Sequence, residues 1–189
     1  MSENIKMEPG LIIQFGHSAL GNIECLLLDM EEFGERTIYT LASKKPITCR
    51  RYNETACSWS KSEIREWLNN EFYNGFSMKD YIMPVELETG KYGCKNITEK
   101  TTDKIWLFSE HELGVSFVRP WDVDEGESYP FMGNSEILKE MMETENPSFV
   151  LRSPDVYLNG EVVCVKDGKI ELCKAYDEMP IMIGFKLLI

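Results

Sequence analysis

Two groups of residues in this 189-residue chain combine types and spacings suited to chemistry. The first is Arg119, Trp121, Tyr129, Arg152, Asp155 and Tyr157, aromatic platforms beside directional charges, as in surfaces that recognise a small molecule, a glycan or a protein. Packing competes with that role: Trp121 and Tyr129 could seat a long loop on the core. Arg152, beside Ser153-Pro154, fits a buried salt bridge or a turn held by donation to carbonyls. The second group is the acidic run Asp122-Val123-Asp124-Glu125-Gly126-Glu127, where Asp122 and Asp124 would offer oxygens to calcium. An EF-hand does not fit, because Gly126 comes too early and Met132 stands where the closing glutamate belongs. A solvated acidic loop is the plainer reading, and no cofactor is expected.

Nucleophilic catalysis needs a thiol or hydroxyl beside a base, and the imidazoles are limited to His17 and His111. Glu110 and Glu112 flank His111 as in a zincin helix, yet the second histidine of that motif would fall at Val115. The six cysteines contain no Cys-x-x-Cys pair, and a structural zinc site is not expected. Cys164 and Cys173 lie on strands flanking Asp167-Gly168. Counting inward pairs Val165 with Ile170, Cys164 with Glu171 and Val162 with Cys173, so the thiols are diagonal and read as small buried residues. No catalytic residue is assigned.

Composition narrows the partners. Lys and Arg number 20 against 32 Asp and Glu, a net charge of −12, which opposes binding to nucleic acid or an anionic membrane. No apolar run reaches the length of a membrane span, and Glu3, Lys6, Glu8 and Pro9 interrupt the apolar stretch that a secretory signal needs. The expectation is a cytoplasmic protein with reduced cysteines, one domain over residues 1–189, and a frayed segment over residues 1–10.

These residues must be positioned by short elements. Leu11 to Phe15, Ile23 to Leu28 and Thr37 to Leu41 read as a meander turning at Gly21-Asn22, with Met30 to Arg36 as a solvated loop. Ser60-Lys61-Ser62-Glu63 fits a capping box opening a helix with Ile64, Trp67, Leu68 and Phe72 on one face, and Asn74-Gly75 closes it with Gly75 in a left-handed conformation. Trp59 and Trp67 are expected in the core. A short turn over 77–83 stops at Pro84, Val85 to Thr102 reads as a long loop, and Lys104 to Phe108 as a strand. Ser109-Glu110-His111-Glu112 repeats the capping-box spacing. Val115 to Gly133 reads as a long structured loop, and a third helix runs from Asn134 or Ser135 to Glu143. Phe149 to Leu151, Val156 to Leu158, Glu161 to Val165, Lys169 to Cys173 and Ile181 to Leu188 read as strands, with Asn159-Gly160 and Asp167-Gly168 as hairpin turns. The class is α+β, with short antiparallel strands and hairpins and two to three short helices.

The order Tyr52-Asn53, Trp59-Ser60 and Ile64-Arg65-Glu66-Trp67-Leu68-Asn69-Asn70-Glu71-Phe72 resembles a bacterial domain family of unknown function, domain of unknown function 6273. Asp103 to Ser109, Leu151-Arg152-Ser153-Pro154 and Ile183-Gly184-Phe185-Lys186-Leu187 are similar to further segments of that family, with Val150 in place of a tryptophan and Lys186 in place of an arginine. The resemblance spans residues 11–189. It implies a C-type-lectin-like fold, akin to formylglycine-generating enzymes and phage receptor-binding proteins, a fold that hosts enzymes and binders alike. The expected function is a non-enzymatic ligand- or protein-binding domain, with 115–133 and 153–160 as contact surface. The alternatives are an enzyme of unknown chemistry with its site in the 115–133 region, or a phage or envelope assembly subunit that self-associates.

Overall fold

Alternating apolar residues early in the chain build the sheet on which the rest is arranged. In the computed structural model, which describes residues 7–114, 125–129, 132, 139, 142–155, 157 and 159–189, β1 (Ile12–His17), β2 (Gly21–Phe33) and β3 (Arg36–Ser43) form an antiparallel meander. The last described strand, β13 (Ile183–Leu188), pairs with β3, and its other edge is shared by β5 (Ile82–Met83) and β8 (Ile105–Leu107). Strand alternation turns Cys25 and Leu27 to one face of this six-stranded sheet and Leu26 and Leu28 to the other, so both faces carry a core. One core holds Trp59, Ile64, Leu68, Phe72 and Phe185, and the other Phe108, Leu113, Phe149, Leu151 and Met182.

Three smaller antiparallel sheets complete the described chain: β4 (Thr48–Arg51) with β12 (Glu178–Ile181), β6 (Val85–Gly90) with β7 (Thr98–Asp103), and β9 (Phe149–Pro154), β10 (Glu161–Lys166) and β11 (Lys169–Lys174) in the order β11-β10-β9. An α-helix, α1 (Glu63–Trp67), continues as a π-helical turn over Leu68–Phe72 and a tighter turn over Tyr73–Gly75. Asn69 ties it to β8 by donating to the carbonyl of Ile105 at 2.8 Å and accepting from the amide of Lys104 at 2.7 Å. The described residues are therefore mainly antiparallel β with little helix, within the expected α+β class. Among the described residues no helix is long and apolar enough to cross a membrane.

Several expectations are corrected. Met30 to Phe33 belong to β2, and the chain reverses at Gly34-Glu35 with Phe33 opposite Arg36. A hairpin arm exposed on both faces has no hydrophobic period, so only its backbone ladder reveals it. Val85 to Thr102 is likewise a hairpin, β6–β7, whose buried side is carried by Leu87, Thr89, Thr101 and Asp103. The helix cap is Ser62, accepting from the amide of Arg65 at 3.3 Å, while Trp59–Lys61 forms a separate tight turn because the Trp59 indole is drawn inward to Asp103. The first turn is Ser18 to Leu20, with His17 opposite Gly21. Gly75 is not left-handed. It is required because a Cβ there would lie 2.3 Å from His17 Nε2, which donates to the carbonyl of Phe72.

Trp67 is half-buried, held between Phe72 and the Arg50 guanidinium 4.2 Å from its ring, whereas Trp59 is fully buried. The turn before Pro84 is confined to Lys79–Tyr81 and leads into β5. Asn159-Gly160 belongs to a longer connection over 155–160, and Tyr157 sits in a bend, with Val156 and Leu158 outside the described residues. The C-terminal run is two strands, β12 and β13, broken at buried Met182. Of the third helix, Lys139 and Met142 are helical and 133–138, 140 and 141 lie outside the described residues. Asp167-Gly168 does turn β10 into β11 with φ of 50° and 75°, in the expected register.

Candidate functional site

The polar side chains that converge most tightly come from elements far apart in sequence. β9 carries Arg152 and Ser153 into the interior, the β6–β7 hairpin brings Thr89 and Gly90, and β8 leads into the turn that starts at Ser109. That turn is the expected capping box: the Ser109 amide donates to Glu112 Oε2 at 3.1 Å and the Glu112 amide to Ser109 Oγ at 3.0 Å. The chain is described again from Glu125, which returns to the same place.

Arg152 is 0% exposed, and each of its five N–H groups has an acceptor. Nε donates to Thr89 Oγ1 at 3.2 Å, Nη1 to the carbonyl of Leu107 at 2.9 Å and to Glu112 Oε2, and Nη2 to Glu112 Oε1 at 3.0 Å and to the carbonyl of Glu125 at 2.5 Å. The Glu112 contact is bidentate, the strongest geometry for this pair. Glu125 accepts from the Gly90 amide at 2.7 Å and from the Ser153 hydroxyl, which in turn accepts from the Glu110 amide at 2.9 Å. Gly126 has φ of 116° and passes so close that a Cβ would sit 3.1 Å from Glu112 Oε1, so the chain can leave Glu125 this way only with glycine.

The electrostatics follow from burial. Glu125 titrates above the usual carboxylate range because it is desolvated; Arg152, Ser153 and Gly90 offset part of that, and Glu112 adds to it. Burial works against the charge of Arg152, but Glu112 and Glu125 outweigh it and hold the guanidinium charged. Burial, and then the charge of Glu112, keep the Tyr129 phenol protonated well above its ordinary range. The cluster is a clamp. One cation bonds the Glu112 carboxylate and the Glu125 carbonyl, so the described residues that flank segment 115–124 meet at one point.

The expected site residues sit at different depths. Arg152 and Asp155 are buried, Tyr129 is half-buried with its ring edge-on to Phe108 at 6.3 Å, and Tyr157 is 52% exposed with Lys95 Nζ 5.8 Å from its ring. Arg119, Trp121, Asp122 and Asp124 lie outside the described residues. Sequence reasoning missed Thr89, Glu112 and Glu125 as partners of Arg152. The capping-box glutamate was the available signal, since a carboxylate drawn into a turn between Phe108 and Leu113 needs a buried cation. A cavity of about 370 Å³ lies elsewhere, against His17, Leu20, Trp67 and Phe72. Among the described residues no three His, Cys, Asp or Glu side chains gather to hold a metal.

In comparison with known proteins, the family described as "Domain of unknown function (DUF6273)" matches residues 36–180. No curated protein and no solved structure matches the chain.

Proposed function

The chain belongs to the DUF6273 family, and from that premise we propose that it is a non-enzymatic ligand- or protein-binding domain of C-type-lectin-like architecture. The contact surface is the 115–133 segment together with the 153–160 connection. The observation that carries this reading is the clamp: Arg152 bonds Glu112 and Glu125, which flank segment 115–124, and has no N–H left for a ligand. Variable chain held at both ends on a rigid scaffold is how binding loops are displayed. Arg119, Trp121, Tyr129 and Tyr157 are the recognising side chains, while the buried Arg152 acts as a positioning residue. The two carboxylates at this place serve the clamp, and His17 has both nitrogens engaged, with Phe72 and with the amide of Ala19. These arrangements favour binding over proton transfer.

The test is a thermal-shift screen of glycans, small molecules and peptides, repeated on Trp121→Ala and Tyr157→Ala, with mass spectrometry for turnover. Ligands that raise Tm in the native chain but in neither variant, and are recovered unchanged, support the reading. Ligands bound equally by all three proteins, or converted to product, overturn it. The same melt with calcium or a chelator decides whether Asp122 and Asp124 take a cation.

A second reading, a subunit contact, rests on Phe33, Tyr81 and Ile189, which are 61%, 51% and 53% exposed. Arg36, opposite Phe33, lines one cavity with Tyr81 and Ile189, so these exposed apolar residues share one end of the main sheet. Sedimentation of native chain and Tyr81→Asp, compared over a range of concentrations, separates this from a monomeric binder.

A further inference from the structure

The cavity of about 370 Å³ beside the β1–β2 turn shares no lining residue with the clamp or with the contact surface proposed above. Its size falls within the roughly 300–1,000 Å³ of small-molecule sites. Its aromatic lining is fixed in place. The His17 ring stacks on Phe72 with centroids 4.4 Å apart, and Trp67 meets the same Phe72 at 4.9 Å. His17 is held at both nitrogens, Nε2 by the Phe72 carbonyl at 3.0 Å and Nδ1 by the Ala19 amide at 3.2 Å. The Ser18 amide donates to the Gly75 carbonyl at 2.8 Å, which joins the hairpin turn to the end of the helical segment. Leu20, 42% exposed in that turn, adds an aliphatic wall.

Charge decides what such a cavity holds. Glu71 is the one carboxylate among the described lining residues; it is exposed, and its side chain has no hydrogen-bond or ion-pair partner among the described residues. The nearby polar groups are already engaged. Asn74 Nδ2 donates to the carbonyl of Asn70 at 2.7 Å, and its Oδ1 accepts from Lys79 Nζ at 3.2 Å. The Arg50 guanidinium lies 4.2 Å from the Trp67 ring, and neither Arg50 nor Lys79 lines the cavity. Aromatic walls beside a free carboxylate, in a chain of net charge −12, suit a cation with a flat apolar body and oppose an anion.

We propose that this cavity binds a small arylalkyl amine, whose ring packs among Leu20, Trp67 and Phe72 and whose ammonium donates to the Glu71 carboxylate. The amine is a free small molecule, and no bond is made or broken.

The experiment titrates the isotope-labelled full chain with 2-phenylethylamine and follows the backbone amides and the Trp67 indole N–H by NMR, with the indole assigned from Trp67→Phe. The expected result is saturable shifts at the Trp67 indole and at the amides of Ala19 and Gly75. Phenylacetate, with the same ring and the opposite charge, and ethylamine, with the charge but no ring, should leave them unmoved. Glu71→Gln, a change of charge at an exposed position, should weaken the amine about fivefold, and Leu20→Ser should weaken it as well. The proposal is overturned by the absence of saturable shifts at these positions up to about 10 mM amine, by phenylacetate binding as tightly as the amine, or by an affinity unchanged in Glu71→Gln. The readout is positional, so an amine bound here is scored on Glu71→Gln and is not counted against the 115–133 surface.

Discussion

Two buried ion pairs in this molecule are built in opposite senses. Around Arg152 the cation lies inside and its acceptors, Thr89, Leu107, Glu112 and Glu125, come to it from three separate stretches of chain. Around Asp103 the anion lies inside: Oδ2 accepts from Trp59 Nε1 at 2.8 Å and Thr101 Oγ1 at 2.7 Å, and Oδ1 meets Arg65 Nε at 2.8 Å. Arg65 is about a quarter exposed, whereas Arg152 is fully enclosed. Water can replace part of what Arg65 supplies. It can replace nothing around Arg152. A partly wet pair tolerates loss of its cation, while a dry one leaves two carboxylates stranded.

The largest effect should therefore come from Arg152→Met, which leaves Glu112 and Glu125 buried without a cation and should cost about 3–5 kcal/mol in denaturant unfolding. A loss below about 1 kcal/mol would erase the distinction between the clusters. Trp59→Phe keeps most of the ring volume but removes one donor to Asp103, and should cost about 1–3 kcal/mol. A cost matching that of Arg152→Met would mean that the Asp103 cluster is equally dry. Trp67→Ala, at a half-buried ring, should lose about 1–2 kcal/mol, less than truncation of a core aromatic.

Glu125→Gln sharpens the comparison through pH. The folded chain holds the Glu125 proton more tightly than the unfolded chain does, so stability falls as pH rises from the ordinary carboxylate range through the raised value. Unfolding free energies across that window should show this decline in the native chain and lack it in the glutamine variant; parallel curves would contradict it. Tyr157→Ala, exposed and outside both clusters, should shift stability by no more than about 0.5 kcal/mol, so any ligand-dependent Tm gain that it removes reports contact and not folding.

Much of this was legible in sequence, and the gaps have physical causes. The β10–β11 register followed from Asp167-Gly168 because a two-residue turn fixes pairing by counting. The Ser109 capping box was readable because its partners are three residues apart. The hairpin β6–β7 was not, since Thr89, Thr101 and Asp103 are buried polar residues and burial was inferred from apolar periodicity. Trp67 does pack against the core that holds Trp59 but stays half-buried, because helical spacing gives a face and not its depth, and Arg50 covers one side of the ring. The clamp lay beyond reach for another reason: nothing in the spacing of Thr89, Glu112, Glu125 and Arg152 says that they meet, and only the packed sheets bring them together.

The most direct test of the clamp is a double-mutant cycle between Arg152 and Glu112, using Arg152→Met, Glu112→Leu and the pair, each unfolded in denaturant. If one guanidinium holds the ends of segment 115–124, removing both charges should be less harmful than removing Arg152 alone, with a coupling of about 2 kcal/mol or more. Losses that simply add would show that the two side chains act independently and would contradict the account.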